Sequence, residues 1–196
     1  RRQRQMCIRD RLLVIKIWSI FCYYIINSKG GLEMINEKTN QLAKTALIIA
    51  LIFVGTFSIR IPNPATGGYF HMGDSMIFLS VLILGKRDGA FAGALGGALA
   101  DLLCGAAIWI GPTLIIKFIM AWIMGIIWEQ YPSKIISAIG GGVFQIIAYT
   151  AAETFLFTWP AALGALPGLT MQTAGGIIIY VILARALQTT KLLNSD

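Results

Sequence analysis

Eight residues, Gly-Gly-Tyr-Phe-His-Met-Gly-Asp from Gly67 to Asp74, form the one polar, glycine-rich, ionisable run in an otherwise apolar chain, and they hold its only histidine, His71. Asp101, Lys117, Glu153 and Gln172 stand singly inside hydrophobic stretches. An ionisable group costs at least about 2.5–3.5 kcal/mol near the centre of a bilayer, so one left there generally has a role. Three carboxylates (Asp74, Asp101, Glu153) set against Lys117, with Tyr69, Phe70, Trp109, Tyr149 and Trp159 near by, suit a small aromatic heterocycle. Such a ligand would stack on the rings and give its amino or ring-nitrogen protons to the carboxylates. A bulky anion would suit the set less.

Other chemistries are harder to build from these residues. His71 and Asp74 could act as an acid–base pair in a membrane enzyme. Against that, there is a single histidine and no activated nucleophile pattern. Cys7, Cys22 and Cys104 are scattered, which gives neither a disulfide framework nor a metal-ligand spacing, so no catalytic residue, metal or cofactor is expected. Asp101, Lys117 and Glu153 could be a proton relay in a secondary transporter, yet no inverted repeat or helix broken at the midplane is visible. Blander readings remain open. Asp101 and Lys117 could be a structural ion pair, Glu153 a protonated core residue, His71 a satisfied loop histidine, and Trp109 and Trp159 interface aromatics.

The elements that must position these residues are membrane helices. The chain is 57% hydrophobic and 13% charged, with mean hydropathy +0.73, against roughly 25% charged in soluble domains. Lipid must therefore solvate much of it. The formal charge of +7 does not point to nucleic acid, because +5 of it lies in residues 1–33. From residue 34 on, six apolar spans are expected, at 42–59, 75–84, 90–103, 113–128, 135–157 and 169–187, making one all-α bundle with short loops. The glycine run, a loop at 104–112 around Trp109 and a loop at 158–168 with Pro160 and Pro167 share one side. Lys38, Lys44, Lys86, Arg87, Lys134, Arg185 and Lys191 fall on the other side, against Arg60 and His71 on the first. That bias places both termini in the cytoplasm and the glycine run outside.

Spacing then says which way the polar groups face. Residues four apart share a helix face, and four such ridges mix small and polar residues: Gly89-Gly93-Gly97-Asp101, Thr113-Lys117-Ala121-Gly125, Gly141-Gln145-Tyr149-Glu153 and Gly168-Gln172-Gly176-Tyr180. Ridges of that kind face other helices. Asp74, Asp101, Lys117, Glu153 and Gln172 all fall in the outer half, which predicts a pocket beneath the outer loops. The first span carries Ala46 and Ala50, a small-xxx-small step fit for internal packing or for docking another membrane protein.

Residues 1–33 read unlike the rest. Arg1 to Arg11 looks like adaptor text, and Ser28-Lys29-Gly30-Gly31 can be encoded by a ribosome-binding sequence shortly before Met34. The expectation is that Met34 is the start and 1–33 is upstream sequence read in frame. The alternative is a short hydrophobic leader at 12–26.

The domain at 34–196 resembles the substrate-binding S components of energy-coupling-factor (ECF) vitamin transporters. The residues that carry the resemblance are Phe70-His71-Met72-Gly73-Asp74, the third-span ending Ala100-Asp101-Leu102-Leu103, and Ala46 with Ala50. The resemblance implies a bacterial multi-pass membrane protein that binds a vitamin or precursor from outside, under a lid formed by the loop after the first helix. It implies that Ala46 and Ala50 meet the transmembrane T component, and that two cytoplasmic ATPases drive transport. The His-Met-Gly-Asp wording looks closest to the branch for thiamine-pyrimidine or vitamin B6-like substrates. The chain itself has no Gly-x-x-x-x-Gly-Lys-Ser/Thr loop for ATP.

Overall fold

A computed structural model describes residues 37–58, 60–63 and 68–189. The expectations for residues 1–33 and for a start at Met34 lie outside the described residues. Within them the order is α1 (Glu37–Ser58), β1 (Arg60–Asn63), β2 (Gly68–His71), α2 (Asp74–Leu103), a 3-10 turn (Ala107–Trp109) running into α3 (Ile110–Gln130), α4 (Lys134–Leu156) and α5 (Trp159–Thr189). Among the described residues, four helices are long and apolar enough to cross a membrane, in Thr39–Ser58, Ala107–Gln130, Lys134–Leu156 and Trp159–Leu187. The protein is an all-α, multi-pass membrane protein.

The expected second and third spans are one element, α2, and the structure does not divide the chain into six separate helices. Gly85 breaks the helical geometry inside α2, with φ 83° and ψ 177°, a conformation open to glycine and strained for side-chain-bearing residues. The chain reverses there. A Cβ on Gly89 would lie 2.7 Å from the Cα of Val81, and one on Gly93 would lie 2.6 Å from Cγ2 of Ile77. In a straight helix residues eight apart are separated by about 12 Å. The two arms, 74–84 and 86–103, therefore pack antiparallel through a glycine seam, and Ser80 Oγ donates across it to the Gly89 carbonyl at 3.2 Å. The first arm is about 16 Å long, roughly half a hydrocarbon thickness.

Two loop expectations also need correction. Residues 158–168 are almost wholly helical, because α5 begins at Trp159. Pro160 stands in its first turn, where a missing N–H breaks no helical bond. Pro167 lies inside the helix, and Thr170 Oγ1 caps its carbonyl at 2.8 Å. The glycine run is not an irregular loop. Its residues 68–71 form an antiparallel ribbon with β1, pairing Arg60 with His71 and Ile61 with Phe70.

The core gathers Ile52, Ile77, Phe78, Met120, Met124 and Tyr180, all buried. Outward-facing positions are apolar as well: Phe155 is 90% exposed, Met171 75% and Ile147 64%. Large apolar side chains turned outward on several helices need an apolar solvent. The four ridges do turn inward. Gly97 meets Thr113, Gly125 meets Lys86, Gly141 meets the Met120 carbonyl, and Gly176 meets Asp74.

Candidate functional site

The ribbon lies over one end of the bundle and is seated by close packing. A Cβ on Gly168 would fall 2.3 Å from Cζ of Phe70, so α5 accepts that ring only because residue 168 lacks a side chain. A Cβ on Gly73 would fall 2.0 Å from Thr56 Oγ1, which lets the turn after β2 press against α1. Met72 rests near Gly175.

Hydrogen bonds fix the ribbon to the helices below. Tyr69 donates its hydroxyl to Asp101 Oδ1 at 2.7 Å. The His71 backbone N–H donates to Gln172 Oε1 at 3.1 Å, and the Gly73 N–H donates to His71 Nδ1 at 3.1 Å. Burial pushes the His71 imidazole down to about 4; the Asp74 charge opposes this and Lys117 adds to it. The ring is therefore neutral near pH 7, with Nδ1 as acceptor. The Tyr69 hydroxyl is held above its usual range by burial first and then by the Asp101 charge, so it remains a donor.

Beneath the ribbon is a cavity lined by Tyr69, Phe70, His71, Asp101, Trp109, Thr113, Tyr149, Glu153, Leu169 and Gln172. The space they border, mouth included, is about 450 Å³, within the range of small-molecule sites. The part that water-sized centres can occupy is about 50 Å³, room for a few waters. Entry of a vitamin-sized ligand thus requires the ribbon or side chains to shift. Trp109 faces Tyr149 and Phe157, each with ring centroids 6.0 Å apart, making an aromatic wall. Tyr149 donates to Thr113 Oγ1 at 3.1 Å. Asp101 and Glu153 are each 6% exposed, and one oxygen of each (Asp101 Oδ2, Glu153 Oε2) has no hydrogen-bond partner.

One helical turn deeper, a polar cluster joins four helical elements. Lys117 forms an ion pair with Asp74 Oδ1, both side chains being 0% exposed. Lys117 also donates to Gln145 Oε1 at 2.7 Å. Gln145 Nε2 donates to Asp74 Oδ2 at 2.7 Å and to Thr173 Oγ1 at 3.0 Å, while Gln172 Nε2 donates to Asp74 Oδ2 at 2.8 Å. The lysine's partner is therefore Asp74 and not Asp101.

Of the residues singled out from sequence, Tyr69, Phe70, His71, Asp101, Trp109, Tyr149, Glu153 and Gln172 border one cavity. Asp74 and Lys117 form its floor support. Trp159 stands apart, 57% exposed and not among the lining residues. Thr113, Leu169, Gln145 and Thr173 join the site without having been singled out as binding residues. Thr113 and Gln145 sat on the predicted inward ridges, which was the available signal. Ala46 and Ala50 are exposed on α1, on the same face as Val54.

Apolar helices enclosing a polar cavity at one end, under a hydrogen-bonded ribbon, define a membrane protein built to hold a small solute. Residues 36–189 match the ECF-type riboflavin transporter S component family, and the chain belongs to that family. It is 33% identical over 133 residues to an uncharacterized protein from Pyrococcus woesei, covering 65% of this chain and 88% of that one. It is 25% identical over 166 residues to the thiamine precursor transporter HmpT of Lactococcus lactis subsp. cremoris, covering 82% of this chain and 95% of that one.

Proposed function

We propose that this chain is the substrate-binding subunit of an ECF-type importer and that its cargo is a small heteroaromatic vitamin or precursor, of the thiamine-pyrimidine or vitamin B6 type. The observation that carries the reading is the cavity itself: an aromatic wall at Trp109 and Tyr149, with two buried carboxylates, Asp101 and Glu153, that each keep one oxygen free. A flat ring with exocyclic amino or hydroxyl groups uses both features. The likeness to a thiamine precursor transporter supports the same branch.

The loop charges support both termini lying in the cytoplasm, with the two arms of α2 entering from the outer side and returning to it as a pair. The ribbon and cavity then face outward. Ala46, Ala50 and Val54 make an exposed small-residue stripe on α1. That stripe is suited to close approach by a helix of another membrane subunit, in this reading the T component that links the S component to two cytoplasmic ATPases. Among the described residues no group of three or more His, Cys, Asp or Glu could hold a metal ion, and the proposed binding uses none.

Titration of the purified full chain with hydroxymethylpyrimidine, pyridoxine, thiamine and riboflavin, read by calorimetry and tryptophan fluorescence, tests the cargo. A single ring of the first two kinds should bind most tightly. Failure of all four refutes the vitamin reading. Uptake by cells that lack the T component and ATPases would instead support a proton-coupled secondary transporter.

A further inference from the structure

We infer that Gly168 sets the cavity's selectivity for ligand size: its missing side chain leaves a recess on α5 that holds the Phe70 ring clear of the space a ligand would fill. The inference rests on the proposed vitamin-binding reading and adds to it a specificity-determining residue that is not itself among the lining residues.

The glycine run meets α5 where that helix lacks side chains. Phe70 packs at Gly168, Met72 Sδ lies 3.3 Å from a Cβ built on Gly175, and Asp74 Cβ lies 3.0 Å from one built on Gly176. Gln172 stands between these glycines and accepts the His71 N–H at 3.1 Å. Residues 168, 172, 175 and 176 fall on one face of a helix. Gly168 makes the tightest of the three contacts. A Cβ there would lie 2.3 Å from Cζ, 2.4 Å from Cε2 and 2.8 Å from Cε1 of the Phe70 ring. Of the three side chains received, Phe70 is also the one that borders the cavity.

A side chain at residue 168 forces something to shift, and the surroundings decide what. The ribbon is held on both sides of Phe70, by the Tyr69 hydroxyl on Asp101 Oδ1 at 2.7 Å and by the His71 N–H on Gln172. The α5 backbone is held by its buried residues Leu169, Gln172 and Thr173. The Phe70 ring turns on two torsions and yields most easily. A ring pushed off α5 takes up space in the cavity it already borders. One methylene more or less in an apolar pocket changes discrimination by about 10–200-fold, so a displacement of about a methyl's width is enough to reorder ligands by size. Helix propensity acts in the opposite sense. Alanine is a better helix former than glycine, so a loss of binding in Gly168→Ala would not arise from a weakened α5.

The test uses the full chain in detergent, with affinities read by calorimetry. The probes are whichever of hydroxymethylpyrimidine, pyridoxine, thiamine and riboflavin binds most tightly, and its homologues lengthened by one methylene at each ring substituent in turn. For at least one homologue, Gly168→Ala should raise the parent-to-homologue affinity ratio about tenfold or more. Phe70→Leu alone should lower that ratio by at least about threefold, and added to Gly168→Ala it should bring the ratio back to within about threefold of the wild-type chain. Taking the ratio cancels the stacking that parent and homologue lose together with the Phe70 ring. Gly164→Ala on the same helix is the control, since nothing lies within 4 Å of its added Cβ; both affinities should stay within about twofold. A smaller change in Gly168→Ala for every homologue overturns the inference and leaves the vitamin reading standing. A change that persists with Phe70→Leu also overturns it, because the ring would then not be the cause. If Gly168→Ala fails to fold, Phe70→Leu decides alone, and an unchanged ratio overturns the inference. If none of the four compounds binds the wild-type chain, the vitamin reading falls and takes the inference with it.

Discussion

Replacing Lys117 by methionine keeps the side chain's length and apolar stem and removes only its charge and donors. The structure sets the cost. Asp74 loses its ion-pair partner at a site where both side chains are 0% exposed. It retains two amide donors, Gln145 and Gln172, while Gln145 Oε1 loses the donor it had at 2.7 Å. Breaking a buried pair by removing one member costs about 3–5 kcal/mol. For a chain of this size 1 kcal/mol corresponds to about 2–4 °C in Tm, so Lys117→Met should lower Tm by roughly 6–20 °C. Adding Asp74→Asn should restore most of that loss. The asparagine carbonyl can still accept from the two glutamines, and its amide can donate to the Gln145 oxygen left bare. The assay is thermal unfolding of the detergent-solubilised full chain, run as a four-member double-mutant cycle. A single variant within 2 °C of the parent would refute the buried pair. A double variant as unstable as the two singles added together would refute the coupling.

Three further outcomes follow from other parts of the molecule. Ala46→Trp, on the exposed face of α1, should abolish co-purification with the partner subunits and leave ligand affinity within twofold; normal assembly would remove α1 as the docking face. Gly89→Ala would place a Cβ 2.7 Å from Val81 Cα and 2.8 Å from its nitrogen, backbone atoms that cannot rotate away. Overpacking of that kind costs about 1–3 kcal/mol, read as a lower Tm, and an unchanged Tm would mean the two arms of α2 do not pack through this seam. The His71 imidazole sits at about 4 in the folded chain against an ordinary 6.5. The unfolded chain takes up that proton first, so stability is full above about 6.5 and falls as pH drops toward 4. His71→Gln should remove this slope from a plot of Tm against pH, while the carboxylate contribution stays common to both proteins.

How far the site could be read from sequence depends on what kind of signal each residue carries. Asp101, Lys117 and Glu153 stand out because a charge in an apolar run is rare, and four-residue spacing turned their ridges inward correctly. The lysine's partner was harder to read. Asp74 begins an arm of 11 residues, too short for its depth to be judged against a full span. Gln145, Thr113 and Thr173 carry no charge and interrupt hydropathy only slightly, so nothing marks them as site residues until the helices are packed. Two prolines make residues 158–168 look like a loop, yet a proline in the first helical turn breaks nothing. Trp159 was grouped with the aromatic wall by loop membership; once that loop is a helix start, its ring is 57% exposed and away from the cavity.

The cluster also explains why an ion pair persists where an apolar pair could be equally stable. From the His71 N–H the hydrogen bonds run through Gln172 to Asp74, then to Lys117 and Gln145. They tie the ribbon to α5, α2, α3 and α4 in turn. The ribbon itself is held to the helices by two bonds that end on site residues, His71 to Gln172 and Tyr69 to Asp101. Each bond contributes about 0.5–1.5 kcal/mol net, in addition to the packing of the Phe70 ring on Gly168 and of Gly73 against Thr56. Asp101 is the residue where ribbon and cavity meet. Its Oδ1 holds the ribbon and its Oδ2 is free, so a donor on the ligand would fix the carboxylate in the orientation that also grips Tyr69. In the proposed binding, the ligand and the ribbon would share this one carboxylate, and neither contact requires the buried pair below to move.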